Sequence, residues 1–235
     1  MAVRKSSASI AVSPVKAWSY SRLVTFLECP AKFKYKNIDK LPEPQGPALA
    51  RGERIHKLAE NYVKNGGILP VELSQFQVEF DQLRAVAPSL SYEMQAAFTS
   101  AWSKAEWFGK DAWCRVVIDL FQPAGRKGGT ARIIDYKTGQ VRGSYADQLE
   151  LYALAGLLLD PMASSVSTEL WFLDHGQIVD SFEKPLTRLD LPKLKRKWST
   201  APKRLLNETR FDPTPSASAC KYCHFRKSNG GPCEY

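Results

Sequence analysis

Two apolar segments rich in β-branched residues, 112–121 and 131–136, constrain the fold more than any other part of the chain. They flank the glycine-rich sequence GRKGG at residues 125–129, a connection typical of a β-hairpin. A second pair of strand-like segments, 167–173 and 178–183, surrounds a three-residue turn. The two pairs therefore predict a sheet in the central part of the chain.

Helices are predicted before, between and after these strands. Apolar periodicity and capping residues indicate helices over residues 19–35, 48–64, 92–108, 145–159 and 189–207, while residues 71–84 fit either a strand or a helix. This order of elements indicates an α/β core with helical elaboration. With 235 residues, 44% of them hydrophobic, the chain fits one domain over residues 18–235 after a flexible polar tail of residues 1–17.

The charge and the apolar runs limit the classes of partner. Lysine and arginine number 33 against 24 aspartates and glutamates, so the net charge of +9 favours an anionic partner such as nucleic acid. The longest apolar run, residues 151–159, is shorter than the ~20 residues that a membrane span needs. The N-terminus lacks the apolar stretch of a signal peptide, and no P-loop pattern is present. We expect a cytoplasmic protein without a membrane partner or a nucleotide cofactor.

The segment that ends the first predicted hairpin carries two charged residues on one face. Asp135 and Lys137 are two residues apart on a strand, so their side chains point the same way. Asp119 ends the preceding strand among apolar residues, where an unpaired carboxylate is costly, and strand pairing would bring it near Asp135. Two carboxylates, which suit Mg²⁺ or Mn²⁺, and a lysine are the minimum for metal-assisted phosphodiester hydrolysis. The alternative is a surface ion pair.

Two pairs of polar side chains lie four residues apart on predicted helices. His56 and Glu60 share one helical face, where the imidazole could bind Mn²⁺ and the carboxylate could orient it. Gln148 could bond a phosphate or a base, and Tyr152 could pack against the site or a sugar. In isolation, a lone histidine on a helix is more often structural, and an ordinary amphipathic helix explains the second pair equally well.

The five cysteines cannot all pair with one another, and without an export signal thiols or metal ligands are favoured over disulfides. Cys220 and Cys223 have the spacing of metal ligands, and Cys233 follows after nine intervening residues. A zinc site could use these three with His224 or a distant fourth ligand. Cys114 lies in a predicted strand, where a buried free thiol is expected.

Two basic clusters are candidates for contact with a nucleic-acid backbone. The first contains Lys193, Lys195, Arg196, Lys197, Lys203 and Arg204, and the second contains Lys32, Lys34, Lys36 and Lys40. Aromatic residues interleave with both clusters, as stacking on single strands requires. A solvated helix face is the alternative interpretation. Phosphate contacts would give binding that depends strongly on salt and little on base sequence.

These motifs together resemble one enzyme superfamily. Their order is Gly52-x3-His56-x3-Glu60, then Asp119, then Asp135-Tyr136-Lys137-Thr138-Gly139, then Gln148-x3-Tyr152. This arrangement resembles the RecB-type branch of the PD-(D/E)XK nuclease superfamily over about residues 20–235. The resemblance implies a restriction-endonuclease-like core, a central mixed sheet flanked by helices, with a helical insertion and a cysteine-rich C-terminal segment.

The resemblance also implies an activity and a set of site residues. The implied catalytic residues are His56, Asp119, Asp135, Lys137, Gln148 and Tyr152. The implied ligands of Mg²⁺ or Mn²⁺ are His56, Asp119, Asp135 and the carbonyl of Tyr136, while Lys137 would position the attacking water. The implied protein is a metal-dependent DNA nuclease, an exonuclease on single-stranded or frayed ends, with partners in recombination, repair or CRISPR adaptation. A non-catalytic, zinc- or cluster-stapled DNA-binding subunit is the alternative.

The cysteines fit the same resemblance. One N-terminal Cys29 with the C-terminal Cys220, Cys223 and Cys233 resembles the iron–sulfur staple of AddB-type and CRISPR-associated relatives. In those relatives four thiolates hold a [4Fe–4S] cluster. Here the cluster would join residues 212–235 to Cys29, with a zinc site or a metal-free segment as alternatives.

Overall fold

The computed structural model describes residues 12–44, 46–141, 145–180 and 184–235. These residues divide into two compact units, one formed by the N-terminal part up to residue 43 with residues 201–235, the other by residues 44–200. Most of the predicted flexible tail, residues 1–11, lies outside the described residues. The bounds of the single nuclease domain remain a prediction.

The helices and strands follow one another in this order. The α-helices are α1 (Tyr20–Glu28), α2 (Pro30–Asn37), α3 (Pro47–Asn65), α4 (Gln77–Ala85), α5 (Ala146–Leu159), α6 (Leu191–Thr200), α7 (Lys203–Asn207) and α8 (Ala217–Lys221). The strands are β1 (Ser91–Phe98), β2 (Lys104–Ala105), β3 (Cys114–Gln122), β4 (Gly129–Lys137), β5 (Ala163–Phe172), β6 (Gln177–Asp180) and β7 (Leu186–Thr187). Short 3₁₀ turns precede α4, β1 and α6 and follow α8.

All seven strands form one mixed sheet in the unit of residues 44–200. The strand order is β2-β1-β3-β4-β5-β6, and β7 pairs with β5. Strands β4 and β5 are parallel and are connected through α5, whereas the other pairs are antiparallel. The mixed sheet flanked by helices confirms the predicted α/β class and agrees with a restriction-endonuclease-like core.

Helices cover both faces of the sheet next to β4. On one face, Ile55 of α3 and Phe80 of α4 pack in a buried cluster with Ile134 of β4 and Trp171 of β5. On the other face, α5 approaches the sheet so closely that a Cβ at Gly156 would lie 3.0 Å from the Ile133 side chain. The end of β4 is therefore held firmly between two helical layers.

The hairpin β3–β4, the pair β5–β6 and helices α3 and α5 lie where the sequence predicts them. The predicted helix over 92–108 is wrong, since residues 91–98 form β1. In β1 the apolar residues Tyr92, Met94, Ala96 and Phe98 alternate, and pairing with β3 selects the strand.

Two long predicted helices are each divided at a proline. Pro30 begins α2 after Cys29, whose backbone is extended, and Pro202 lies between α6 and α7. Proline lacks the N–H that continues a helix and disfavours helical geometry in the preceding residue. Residues 71–84, which fit either a strand or a helix in the sequence, form a 3₁₀ turn followed by α4. None of the described helices is long and apolar enough to cross a membrane.

Candidate active site and cysteine centre

Strands β3 and β4 separate at the position of Asp119. Their ladder pairs Leu120 with Ile134, so the next position along it would place Asp119 opposite Asp135. Instead, the carboxylate Oδ2 of Asp119 accepts a hydrogen bond from the Tyr136 backbone N–H at 2.7 Å. A side-chain acceptor thus satisfies a buried backbone donor where the strands part. Both carboxylates are thereby held at the end of the hairpin.

Helix α3 brings His56 to this carboxylate. The His56 Nδ1 lies 3.4 Å from Asp119 Oδ2, and its ring meets the Tyr136 ring edge-on with centroids 5.8 Å apart. Burial opposes protonation of His56, but the hydrogen bond and the negative charge of Asp119 outweigh it and raise the imidazole pKa. Glu60, predicted to orient His56, instead pairs with Lys64.

Asp135 lies at the centre of a polar group on the α5 side. Its Oδ1 accepts from the Tyr152 hydroxyl at 2.6 Å, and Gln148 Nε2 lies 3.4 Å from Oδ1 and 3.0 Å from the same hydroxyl. Its Oδ2 lies 2.5 Å from Lys137 Nζ. Burial raises the pKa of this carboxyl despite the nearby ammonium, and Asp119 raises it further. The structure therefore brings together Asp135, Lys137, Gln148 and Tyr152.

The Oδ2 atom of Asp135 is incompletely satisfied. The Lys137 ammonium lies 2.5 Å from it, and no other described residue donates to this buried oxygen. A buried carboxylate oxygen that only an ammonium approaches is suited to a hard divalent cation. The residues present thus fit the metal that the motif implies.

The metal-ligand groups that converge are not the three predicted ones. His56, Glu93 and Asp119 each offer a ligand atom, and these atoms lie within 4.8 Å of one another. Asp135 does not belong to this set, although its negative charge contributes to the raised pKa of His56. Glu93 could not be found from the sequence because residue 93 was assigned to a predicted helix. Had residues 91–98 been predicted as a strand paired with β3, Glu93 would have been placed opposite Asp119. Burial and the charge of Asp119 raise the pKa of Glu93.

The residues that follow Lys137 are held by a second carboxylate. Asp174 Oδ2 accepts from the Gly139 backbone N–H at 2.6 Å and from Arg51 Nη1 at 2.9 Å, while Arg51 Nη2 lies 2.5 Å from Oδ1. The hydrogen bond from Arg51 lowers the pKa of Asp174. The Lys137 carbonyl accepts from the backbone N–H of Leu173 at 3.0 Å. The segment that follows Lys137 is therefore fixed to α3 and to the turn after β5.

The cysteine centre lies in the other unit, formed by the N-terminal helices and residues 201–235. Four cysteines line one cavity there: Cys29, Cys220, Cys223 and Cys233. Lys32, Tyr35 and Arg226 line the same cavity. Among the described residues, no three of the cysteine sulfurs lie within 4.8 Å of one another.

Backbone contacts bring Cys233 beside the Cys220–Cys223 pair. The Cys233 N–H donates to the Phe225 carbonyl at 2.9 Å, and its carbonyl accepts from Lys227 at 2.7 Å. Gly231 packs against the Phe225 backbone so closely that any Cβ at residue 231 would overlap it. The glycine therefore permits the turn that returns the chain to the other cysteines. Cys114 is a buried free thiol in β3, as predicted, and burial raises its pKa.

The basic residues of α6 differ in whether acidic side chains already neutralise their charge. Lys197 Nζ lies 2.7 Å from Asp147 and 2.8 Å from Glu150, so its charge is already neutralised by α5. Lys193, Lys195 and Arg196 have no ion-pair partner in the described parts of the chain. In the other cluster, Lys32, Lys34 and Lys36 pair with Glu28, Asp39 and Glu43. The free charges of α6 are the stronger candidates for phosphate contact.

Comparison with known proteins identifies the family. No curated protein matches the chain. Among solved structures, SSO0001 is similar at 17% identity and a TM-score of 0.45, over 95% of this chain and 90% of that one. The sequence profile of the PD-(D/E)XK nuclease superfamily, whose members are usually metal-dependent nucleases, matches residues 17–228. The chain therefore belongs to the PD-(D/E)XK nuclease superfamily.

Proposed function

We propose that this protein is a divalent-metal-dependent deoxyribonuclease of the RecB-type branch. The observation that carries the proposal is the pairing of Asp135 with Lys137 at the end of β4, with Asp119 and His56 beside the same strand end. These are the acidic and basic groups that phosphodiester hydrolysis requires, held by backbone and helix contacts. Membership of the superfamily supports the same chemistry.

Each residue has a distinct role in this proposal. The groups that would hold Mg²⁺ or Mn²⁺ are His56, Asp119, Asp135 and the Tyr136 carbonyl. When bound, the metal supplies acidity to a water molecule and stabilises charge on the phosphate. Lys137, close to Asp135 Oδ2, would position the attacking water. Gln148 and Tyr152 would orient Asp135 through its Oδ1.

The substrate we propose is DNA, cleaved from single-stranded or frayed ends to leave a 5′-phosphate and a 3′-hydroxyl. The net charge of +9 and the free basic residues of α6 support a grip on the phosphate backbone. The chain carries no P-loop pattern, so unwinding of duplex would have to come from a partner. Recombination, repair and CRISPR adaptation in the cytoplasm are the pathways that generate such ends.

A cleavage assay with a matched pair of variants tests the proposal. Labelled single-stranded, blunt duplex and closed circular DNA are incubated with Mn²⁺, Mg²⁺ or chelator. Wild-type protein should degrade linear single strands only with metal, and Asp135→Asn should lose about 100-fold or more of the rate. The control is Asp111→Asn, which neutralises an exposed aspartate in the turn before β3.

The outcomes of this assay separate the alternatives. Retained binding by Asp135→Asn without cleavage supports the catalytic assignment. Binding by the wild type with no cleavage at any metal concentration would instead support the non-catalytic DNA-binding subunit. Efficient cutting of closed circles would indicate an endonuclease and contradict the dependence on ends.

We also propose that Cys29, Cys220, Cys223 and Cys233 hold a [4Fe–4S] cluster. Support comes from their common cavity, which all four cysteines line. Such a cluster binds each thiolate to a different iron and would connect residues 212–235 to Cys29. Arg226 on the cavity wall would offset part of the negative charge of the thiolates.

Anaerobic purification tests the cluster directly. The protein should be brown, with about four irons per chain. Cys29→Ser should lower the iron content, whereas Cys114→Ala, which alters a cysteine outside the cavity, should leave it unchanged. If the anaerobic protein is colourless and contains one zinc per chain, the four cysteines form a zinc site and do not hold a cluster.

A further inference from the structure

Glu93 of β1 and Asp119 of β3 lie opposite each other on neighbouring strands. Strand β1 pairs with β3 through Tyr92 with Leu120 and Met94 with Ile118, so Glu93 occupies the position opposite Asp119. Its backbone has a φ of 45°, in the left-handed region that residues other than glycine rarely adopt. This local geometry accompanies the convergence of its carboxylate with Asp119 and with the imidazole of His56.

The carboxylate of Glu93 is free for a ligand. In the described parts of the chain it has neither a hydrogen-bond nor an ion-pair partner, and the side chain is exposed. Two other glutamates of the same unit differ, because Glu60 pairs with Lys64 and Glu72 with Arg54. The negative charges of Glu93 and Asp119 repel each other, and a bound cation would remove that repulsion.

We propose that Glu93 is a direct ligand of the divalent cation, completing a site with His56 and Asp119. The inference rests on the proposed function, which supplies the metal-dependent reaction, and it adds a ligand from β1 to those from α3 and β3. Because Glu93 is exposed, water can occupy the remaining coordination positions, as a catalytic site requires.

The donor set also indicates which cation is preferred. One imidazole and two carboxylates carry a charge of −2 when the histidine is neutral, which matches a dication. An imidazole nitrogen suits transition metals, whereas Mg²⁺ prefers a shell of oxygen atoms. We therefore expect this protein to bind Mn²⁺ more tightly than Mg²⁺, and we expect Glu93 to contribute to both affinities.

The test measures Mn²⁺ affinity in the absence of DNA. The full-length protein, stripped with chelator and dialysed, is titrated with Mn²⁺ by calorimetry and by the paramagnetic resonance signal of free Mn²⁺. Glu93→Gln should weaken Mn²⁺ binding by about tenfold or more, since even changes behind the ligands commonly cost that much. The matched control, Glu106→Gln, changes an exposed glutamate at the opposite end of β1, beyond β2. It should bind Mn²⁺ like the wild type.

A second variant controls for the unusual backbone conformation of residue 93. Asparagine tolerates the left-handed conformation, so Glu93→Asn removes the carboxylate with little strain and should show the same loss of affinity. If the wild type binds Mn²⁺ and cleaves DNA while both Glu93 variants bind Mn²⁺ equally well, the assignment of Glu93 is wrong and the nuclease proposal stands. If the wild type neither binds Mn²⁺ nor cleaves DNA, the proposed function fails and this inference fails with it.

Discussion

Asp119 Oδ2 accepts the backbone N–H of Tyr136 at 2.7 Å, at the point where the β3–β4 ladder ends. The carboxylate thus has a structural duty as well as a proposed chemical one. Its other oxygen, Oδ1, has no hydrogen-bond partner among the described residues and stays open to a ligand. The same side chain therefore satisfies the buried strand end and faces His56 and Glu93.

The structural and the proposed catalytic role predict different results for two substitutions of Asp119. Asp119→Asn keeps an acceptor for the Tyr136 N–H but removes the charge. At about pH 8.5, where the pair with protonated His56 contributes little, stability should therefore change little while metal-dependent cleavage is lost. Asp119→Ala leaves the N–H unsatisfied and should lower the free energy of unfolding by about 1–3 kcal/mol. Urea denaturation in chelator, beside a cleavage assay, measures both effects. Equal stability of the two variants would contradict the structural role.

Arg51 and Asp174 predict an effect on the active site through the segment after Lys137. Asp174→Ala removes the acceptor of the Gly139 N–H and the partner of Arg51, so residues 138–139 should become less well fixed. We expect kcat to fall by roughly tenfold while KM changes little, because Lys137 is misplaced rather than removed. Asp174→Glu should restore part of the loss in a steady-state assay. A rise in KM with kcat unchanged would assign Asp174 to substrate binding instead.

The pair of His56 and Asp119 predicts how stability depends on pH without metal. The imidazole pKa is raised in the folded protein, so protonated His56 stabilises the fold. This contribution is fully present below the unfolded pKa of about 6.5 and is lost as pH rises through the higher folded value. His56→Gln should therefore reduce stability at about pH 6 but have a smaller effect at about pH 8.5. Urea titrations in chelator at both pH values measure the difference, and an equal effect would contradict the raised pKa.

The hairpin and its charged end could be predicted from sequence because they depend on local patterns. The apolar strands, the glycine-rich turn and the Asp135-x-Lys137 spacing lie within 30 residues of one another. Glu93 could not be found in the same way, since β1 is selected by pairing with β3 rather than by its own propensity. The motif identifies candidate site residues, but the contacts that hold them depend on tertiary packing.

Tertiary packing also determines which basic residues lack an acidic partner among the described residues. Lys197 belongs to the most basic stretch of the sequence, yet the packing of α6 against α5 pairs it with Asp147 and Glu150. Sequence alone offers no means of separating it from Lys195 or Arg196. The division of the first predicted helix was visible in principle, because Pro30 disfavours helical geometry at Cys29.

The ion pairs of α6 predict unequal effects of its basic residues on DNA binding. Changing Lys195 and Arg196 together to glutamate should weaken binding to single-stranded DNA, whereas Lys197→Ala should have a smaller effect because its charge is already paired. For the wild type, raising salt from about 50 to about 200 mM should reduce affinity by roughly tenfold or more if several phosphates are contacted. Fluorescence anisotropy at both salt concentrations checks this. Binding that is insensitive to salt would remove the electrostatic basis of the DNA assignment.

Gly231 predicts a separate test of the cysteine centre. A methyl group at residue 231 would overlap the Phe225 backbone, so Gly231→Ala should displace Cys233 from the other cysteines. We expect less iron per chain after anaerobic purification and a lower melting temperature, since a cluster that closes a long loop stabilises the fold. Gly46→Ala serves as the control, because a Cβ there meets nothing within 4 Å. If Gly231→Ala retains full iron content, Cys233 is not a ligand, and the fourth thiolate of the proposed cluster must be replaced by another group.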